Sequence, residues 1–189
     1  MKRPMISYLS RTSRTGWLLL IVALQVLFMV AFHGLFPFSV EKIGAVSGGM
    51  GIPDARMYYS FVQLQNMFQH YGTEGREMYL QLQWVDMVYP LVYATLLASL
   101  LYLVYKKTRL ENMVFVPFVA MLFDYTENIL LRVNILHFPD MSKTLVNIAG
   151  VVTFTKWLLI FFAFFLLVFG FIWRVAHWFR LRKTGKYTA

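Results

Sequence analysis

The sequence contains no cysteine and few charged residues. The absence of cysteine from its 189 residues excludes disulfide bonds, thiolate catalysis, and cysteine-ligated zinc or iron–sulfur sites. Asp, Glu, Lys and Arg make up 14% of the chain, whereas soluble domains carry roughly 25%. Hydrophobic residues make up 59%, which leaves more apolar surface than a water-soluble domain would bury. The composition therefore predicts a membrane protein.

Several motifs that mark enzyme sites are also missing. The chain has no G-x-S-x-G nucleophile elbow, no H-E-x-x-H zinc pair, no P-loop and no G-x-G-x-x-G loop. The glycine-rich stretch "SGGMG" lacks the strand and helix context that a nucleotide-binding loop requires. The sequence motifs therefore identify no reaction, and we predict no cofactor and no metal.

Four apolar segments are long enough to cross a bilayer, which takes about 20 helical residues. Such segments are predicted to be helices because lipid offers the backbone no other hydrogen-bond partners. The first apolar run is longer than that of a cleaved signal peptide, so we predict an uncleaved anchor. We predict an all-α integral membrane protein, a single membrane domain over 1–189 built as a four-transmembrane-helix bundle, with spans at about 16–36, 79–105, 113–136 and 148–173.

Basic residues are concentrated on one side of these predicted spans. Twelve of the 18 Lys and Arg residues fall in the N-terminal segment, in the loop between the second and third spans, or in the tail 174–189. The positive-inside rule then places both termini in the cytoplasm, for a multi-pass protein of the plasma (inner) membrane. The net charge of +9 thus indicates orientation, with anionic lipid headgroups as partners of the basic tail, and not a nucleic-acid partner.

The longest segment between spans, residues 37–78, carries an amphipathic pattern. Asp54 is predicted to cap or begin a helix, and Gly72 to end it. We predict an amphipathic helix over 54–71 in the outer interface between the first two spans, either packed on the bundle or acting as a lid. Its apolar residues recur at helical spacing: Met57, Phe61, Leu64, Phe68 and Tyr71.

The predicted third span contains the stretch "LFDYTENILL", which carries two acids in an apolar setting. Helix rise places Asp124 near mid-membrane, and Glu127 and Asn128 follow at +3 and +4 on the same face. Each intramembrane charge costs about 2.5–3.5 kcal/mol on insertion scales. We therefore expect these side chains to face the bundle interior and to pair with Lys156 of the fourth span, with Arg132 and with His33.

Other polar residues are predicted at similar depth or at the outer mouth. Pro90 lacks a backbone N–H, so the carbonyl of Asp86 should lose its usual helical donor. The acids Asp86, Asp124 and Glu127 and the bases Arg76, Arg132 and Lys156 sum to zero, which argues against a bare divalent-metal site. The sequence predicts an outward-opening pocket lined by His33, Arg76, Tyr79, Asp86, Tyr93, Asp124, Glu127, Asn128 and Lys156.

Four functions fit this pattern. The leading prediction is the binding of a small polar or lipidic ligand in that pocket. The alternatives are an intramembrane enzyme on lipid-borne substrates, a proton- or ion-coupled transporter, and a structural membrane subunit. In the enzyme, Asp124 or Glu127 would be the general base, with Asp86 as a further candidate. Ion pairing that only specifies helix packing is the competing explanation of the charges.

Overall fold

Seven α-helices make up most of the chain in the computed structural model, which describes residues 2–183. No strand occurs within that range. Four helical stretches are long and apolar enough to span a membrane, Thr15–Val46, Phe61–Tyr105, Glu111–Leu136 and Lys143–Arg180, which confirms the all-helical prediction with four spans. The helices are α1 (Lys2–Thr12), α2 (Thr15–Val30), α3 (Val40–Val46), α4 (Phe61–Asp86), α5 (Tyr89–Tyr105), α6 (Val116–Leu136) and α7 (Lys143–Lys183).

The N-terminal helix α1 was not predicted from the sequence. It packs on α5 through Leu9, which is fully buried. The hydroxyls of Tyr8 and Thr95 share a hydrogen bond of 3.0 Å, and those of Thr12 and Ser99 share one of 2.7 Å. Both pairs are 87 residues apart in sequence, so α1 and α5 run in the same direction. The α1–α2 turn therefore lies beside the second half of α5.

The first predicted span, 16–36, corresponds to α2 and a π-helical turn at Ala31–Leu35. The chain then forms α3, a short helix that the sequence analysis missed. The Ser39 hydroxyl caps α3 by accepting a 3.4 Å hydrogen bond from the backbone N–H of Lys42. Residues 37–78 are therefore more helical than predicted.

The predicted start of the amphipathic helix at residue 54 is wrong. Pro53–Ala55 is a separate 3₁₀ turn, and α4 begins at Phe61. Ser60 and Gln63 form a capping box there, with each side chain bonded to the backbone N–H of the other residue. Gly72, at φ 60° and ψ −166°, ends the first part of α4 as predicted. Helix resumes immediately and runs to Asp86, so Arg76 lies on a helix.

The predicted second span, 79–105, is interrupted after Asp86. Met87 and Val88 form a turn, and Pro90 occupies the first turn of α5. Proline is tolerated there because the first helical N–H groups have no intrahelical acceptor. The expected break beside Asp86 is therefore present.

The fourth helix is longer than the prediction of 148–173. α7 has 41 residues and continues through the first part of the predicted basic tail. Residues 184–189 of that tail lie outside the described range.

The charged positions of α6 and α7 lie between two apolar clusters. One cluster joins α4 to Leu131 of α6 and Ala149 of α7. The other joins α1 and α5 to Ala163 and Leu166 of α7. α6 packs more extensively against α7 than against any other helix. The polar residues between the clusters are therefore enclosed by packed side chains at both ends.

Gly150 of α7 provides a test of this packing. The segment 51–59, which we call the cap, crosses α7 at this residue. A Cβ added at Gly150 would collide with the Tyr59 carbonyl and stand 3.1 Å from Cε2 of Tyr58. We expect Gly150→Ala to lower the thermal unfolding temperature in detergent, because overpacking costs about 1–3 kcal/mol. Gly44→Ala, where an added Cβ meets nothing within 4 Å, is the control. Equal unfolding temperatures for the two variants would contradict the packing.

Candidate functional site

One lysine and two carboxylates meet between α6 and α7. Lys156 Nζ forms an ion pair with Glu127 Oε2 and lies 3.4 Å from Asp124 Oδ1. The exposed fractions of Lys156, Asp124 and Glu127 are 4%, 5% and 0%. Glu127 lies one turn after Asp124 on α6, so one ammonium group of α7 reaches both acids. We call these three residues the charged centre.

Hydroxyl groups extend the charged centre in two directions. The Tyr93 hydroxyl donates to Asp124 Oδ2 at 2.9 Å. On the other side, Thr153 Oγ1 lies 2.5 Å from Glu127 Oε1 and 3.2 Å from the Tyr59 hydroxyl. Threonine has one hydroxyl proton. Glu127 and the Ala149 carbonyl, which is 2.9 Å from Thr153 Oγ1, can only accept a proton, so the Thr153 oxygen accepts from Tyr59. A chain of polar contacts then runs from Tyr59 to Tyr93.

Tyr59 is suited to the donor role. It is fully buried, and burial raises the pKa of Tyr59 well above its ordinary value, with the charge of Glu127 adding to the effect. The phenol therefore keeps its proton at neutral pH.

The cap is held over the charged centre by hydrogen bonds. The Tyr79 hydroxyl donates to Asp54 Oδ2 at 2.6 Å, and Trp157 Nε1 donates to the Asp54 carbonyl at 3.2 Å. At the first residue of the cap, the Tyr71 hydroxyl donates to the Gly51 carbonyl at 2.5 Å. Asp54 therefore points inward as part of the segment 51–59. The prediction that it caps or begins the amphipathic helix is wrong, because that helix begins at Phe61.

Amide side chains link α6 to the break in the second span. Asn128 Nδ2 donates to the Asp86 carbonyl, and Gln83 Nε2 donates to the Asn128 carbonyl, each at 3.4 Å. The Asp86 carbonyl is available because Pro90 has no N–H to offer it. Gln83 and Asn128 are buried and Asp86 is half-buried. Asp86 is thus joined to the face of α6 that carries the charged centre.

Three basic residues that the sequence analysis assigned to this cluster lie elsewhere. His33 is exposed on the π-helical turn. Arg76 donates to the Phe68 carbonyl at 3.0 Å and stands over the Phe138 ring, 4.7 Å from its centroid. Arg132 donates at 3.3 Å to a backbone carbonyl of α4. Neither arginine forms an ion pair with the acids of the cluster.

The predicted charge balance is therefore wrong. Both ion pairs in the described part of the chain use Lys156. Asp54 and Asp86 take part in neither. Lys156 is the buried base beside the two buried acids Asp124 and Glu127, so the fully ionised charged centre carries a net charge of −1. No group of three or more His, Asp or Glu residues within 2–183 is arranged to hold a metal ion.

Two open grooves in the described part of the chain lie away from the charged centre. One, of about 730 Å³, is bordered by Thr108 and by residues 171–179 of α7. The other, of about 390 Å³, follows residues 144–152 on the surface of α7. The charged centre itself is closed by the cap and by the surrounding side chains.

Sequence reasoning missed the contributions of Tyr59, Trp157 and the inward-facing Asp54. The stretch "GIPD" contains glycine and proline, which favour a turn, but the sequence analysis placed the start of a helix there. Nothing in the local pattern indicated that this turn would reach the membrane-spanning helices.

The pairing at the charged centre can be tested by a double-mutant cycle. Lys156→Met leaves two buried carboxylates without a counter-ion and should destabilise the protein by about 3–5 kcal/mol. Adding Glu127→Gln should recover part of that loss, and Glu127→Gln alone should cost far less. Unfolding in detergent is the measurement, with Lys143→Met as an exposed control. Additive effects of the two substitutions would argue against the contact.

No family model matches the chain, and no curated protein or solved structure matches it.

Proposed function

We propose that this protein binds a small polar or lipidic ligand at the charged centre, reached from the side of the cap. The observation that carries the proposal is that two buried acids, Asp124 and Glu127, share one buried base, Lys156. Charges that only specified helix packing would be expected to balance, because each unpaired charge in a membrane is costly. A bound ligand would supply the partner that the excess acid lacks.

The way in which the cap is attached supports access from its side. Its contacts with the helices include hydrogen bonds from Tyr71, Tyr79 and Trp157, which can be exchanged for bonds to water or ligand. Gly48 and Gly49 precede the cap and Gly51 begins it, and all three have positive φ. Such glycines let the chain change direction at little steric cost. The closed arrangement is then the resting form, and displacement of the cap admits the ligand.

The proposed orientation places the cap outside the cytoplasm. Lys106, Lys107 and Arg109 follow the end of α5, and Arg174 Nε donates to the Val104 carbonyl at that same end. Basic residues of the loop and of α7 thus lie together, as the positive-inside rule expects for a cytoplasmic face. We propose a multi-pass plasma (inner) membrane protein in which this end of the bundle, with the α1–α2 turn and the end of α7, faces the cytoplasm. Because α1 runs in the same direction as α5, its first residues point away from that end.

Anionic lipid headgroups are the proposed partners of the cytoplasmic end. The open groove beside Thr108 is bordered by Trp173, Arg174 and His177. Aromatic rings favour headgroup depth, and cations attract anionic lipid.

A proton-coupled function is the second candidate. It is supported by the chain of polar contacts from Tyr59 through Thr153 and the charged centre to Tyr93. A proton could neutralise the excess acid, and Glu127 or Asp124 would hold it. The same carboxylates would serve as the general base of an intramembrane enzyme.

The orientation can be tested with reporter fusions. Fusions after Lys107 should report the cytoplasm, and fusions near Gly49 should report the outside. An external signal after Lys107 would overturn the proposed topology.

Native mass spectrometry tests ligand binding directly. The full chain, released from native membranes in a mild detergent, should retain an adduct of defined mass. The double variant Asp124→Asn and Glu127→Gln should lose it, because the excess charge is removed. Glu74→Gln, an exposed acid on α4, is the matched control and should keep the adduct. An adduct held equally by all three proteins, or by none, would contradict the proposal.

A further inference from the structure

The buried polar atoms that lack hydrogen-bond partners share one chemical property. Within the described residues they are all oxygens, and no buried side-chain nitrogen is left without an acceptor. One of them, Glu127 Oε2, faces Lys156 in the ion pair. The others are Gln25 Oε1, Asp54 Oδ1, Gln83 Oε1, Asn128 Oδ1 and Asn134 Oδ1. The interior is therefore short of donors and not of acceptors.

The amide orientations at Gln83 and Asn128 are fixed by their neighbours. Each amide lies against a backbone carbonyl, the Asn128 carbonyl for Gln83 and the Asp86 carbonyl for Asn128. A carbonyl can only accept, so each amide must present its nitrogen to it. The amide oxygens then point away from these bonds. Exposed fractions of 2% and 0% leave Gln83 and Asn128 no access to solvent.

One of these acceptors, Gln83 Oε1, lies on a stripe of α4, and Asn128 Oδ1 belongs to the face of α6 that Gln83 contacts. Tyr79, Gln83 and Asp86 are one turn apart on α4. Tyr79 bonds Oδ2 of Asp54, whose other oxygen has no partner. Asp86 belongs to neither ion pair. Asp86 thus shares the stripe with Gln83, and Asp54 of the cap is bonded to the same stripe through Tyr79.

From this arrangement we infer that the ligand presents an ammonium group to the stripe of α4 formed by Tyr79, Gln83 and Asp86. This inference rests on the proposed ligand-binding function and specifies its chemistry. A primary ammonium offers N–H donors and no acceptor, as Lys does. It would supply donors to the amide and carboxylate oxygens and reduce the excess negative charge. An alcohol could supply a donor but no charge, and an anion would add to the excess.

Two sources can present this group: the headgroup of an aminophospholipid, or a free small amine. The experiment uses the full-length chain in phosphatidylglycerol nanodiscs, and unfolding is followed by tryptophan fluorescence. In the first arm, free ethanolamine is added, with ethylene glycol as the uncharged control. In the second arm, phosphatidylethanolamine is mixed into the nanodisc, with phosphatidylcholine, whose ammonium has no N–H, as control.

We expect the unfolding midpoint to rise with ethanolamine or phosphatidylethanolamine and not with either control. The arm that responds at the lower concentration identifies the source. Asp86→Asn should weaken the apparent affinity about tenfold or more, since hydrogen bonds to charged groups are the stronger ones. Asp140→Asn, an exposed acid, should leave the affinity unchanged. If Asp86→Asn does not fold, Asp54→Asn provides the same test.

An equal response to ethylene glycol or phosphatidylcholine would overturn the inference, as would an unchanged affinity in the Asp86 and Asp54 variants. A midpoint that changes with pH alone, with no effect of amine, would favour a proton as the occupant and would also overturn it. If native mass spectrometry finds a neutral or anionic adduct that depends on Glu127, only the ammonium inference fails. If it finds no adduct, the proposed function fails as well.

Discussion

A single lysine placed between two carboxylates is the interaction on which the arrangement of this bundle depends. Lys156 comes from α7, and Asp124 and Glu127 come from one face of α6. Removing charges from water costs several kcal/mol for each ion, and the cost is offset only when partners meet in good geometry. Other registers of α6 and α7 are therefore disfavoured, because they would leave these buried charges without partners. This contact then sets the positions at which Thr153, Tyr93 and the cap meet α6 and α7.

The parts of this fold that were predicted correctly depend on local pattern. Length and hydropathy identify four spans, and helical periodicity places Asp124, Glu127 and Asn128 on one buried face. The chemistry of Pro90 also indicates a break beside Asp86. The start of α4 was missed although Ser60 and Gln63 form a local capping signal, because the apolar spacing upstream of it was read as helix.

The parts that were not predicted depend on contacts between distant segments. Adding formal charges over a set of residues does not say where each side chain points. Arginine carries five donors on a planar group that also stacks on aromatic rings, so it can be satisfied without any carboxylate. Arg76 uses the Phe68 carbonyl and the Phe138 ring, and Arg132 uses a carbonyl of α4 and the Trp84 ring. The inward turn of Asp54 is equally non-local, since its partners lie 25 and 103 residues away.

The length of α7 has a mechanical consequence. Gly150, against which the cap rests, Lys156 and Arg174 all belong to one helix without interruption. At about 1.5 Å per residue, Gly150 and Arg174 are about 36 Å apart along a single stiff rod. A tilt that makes room at the cap must therefore also move the far end of the rod against α5. A displacement at one end of α7 would therefore be transmitted to its other end without any rearrangement within the helix itself.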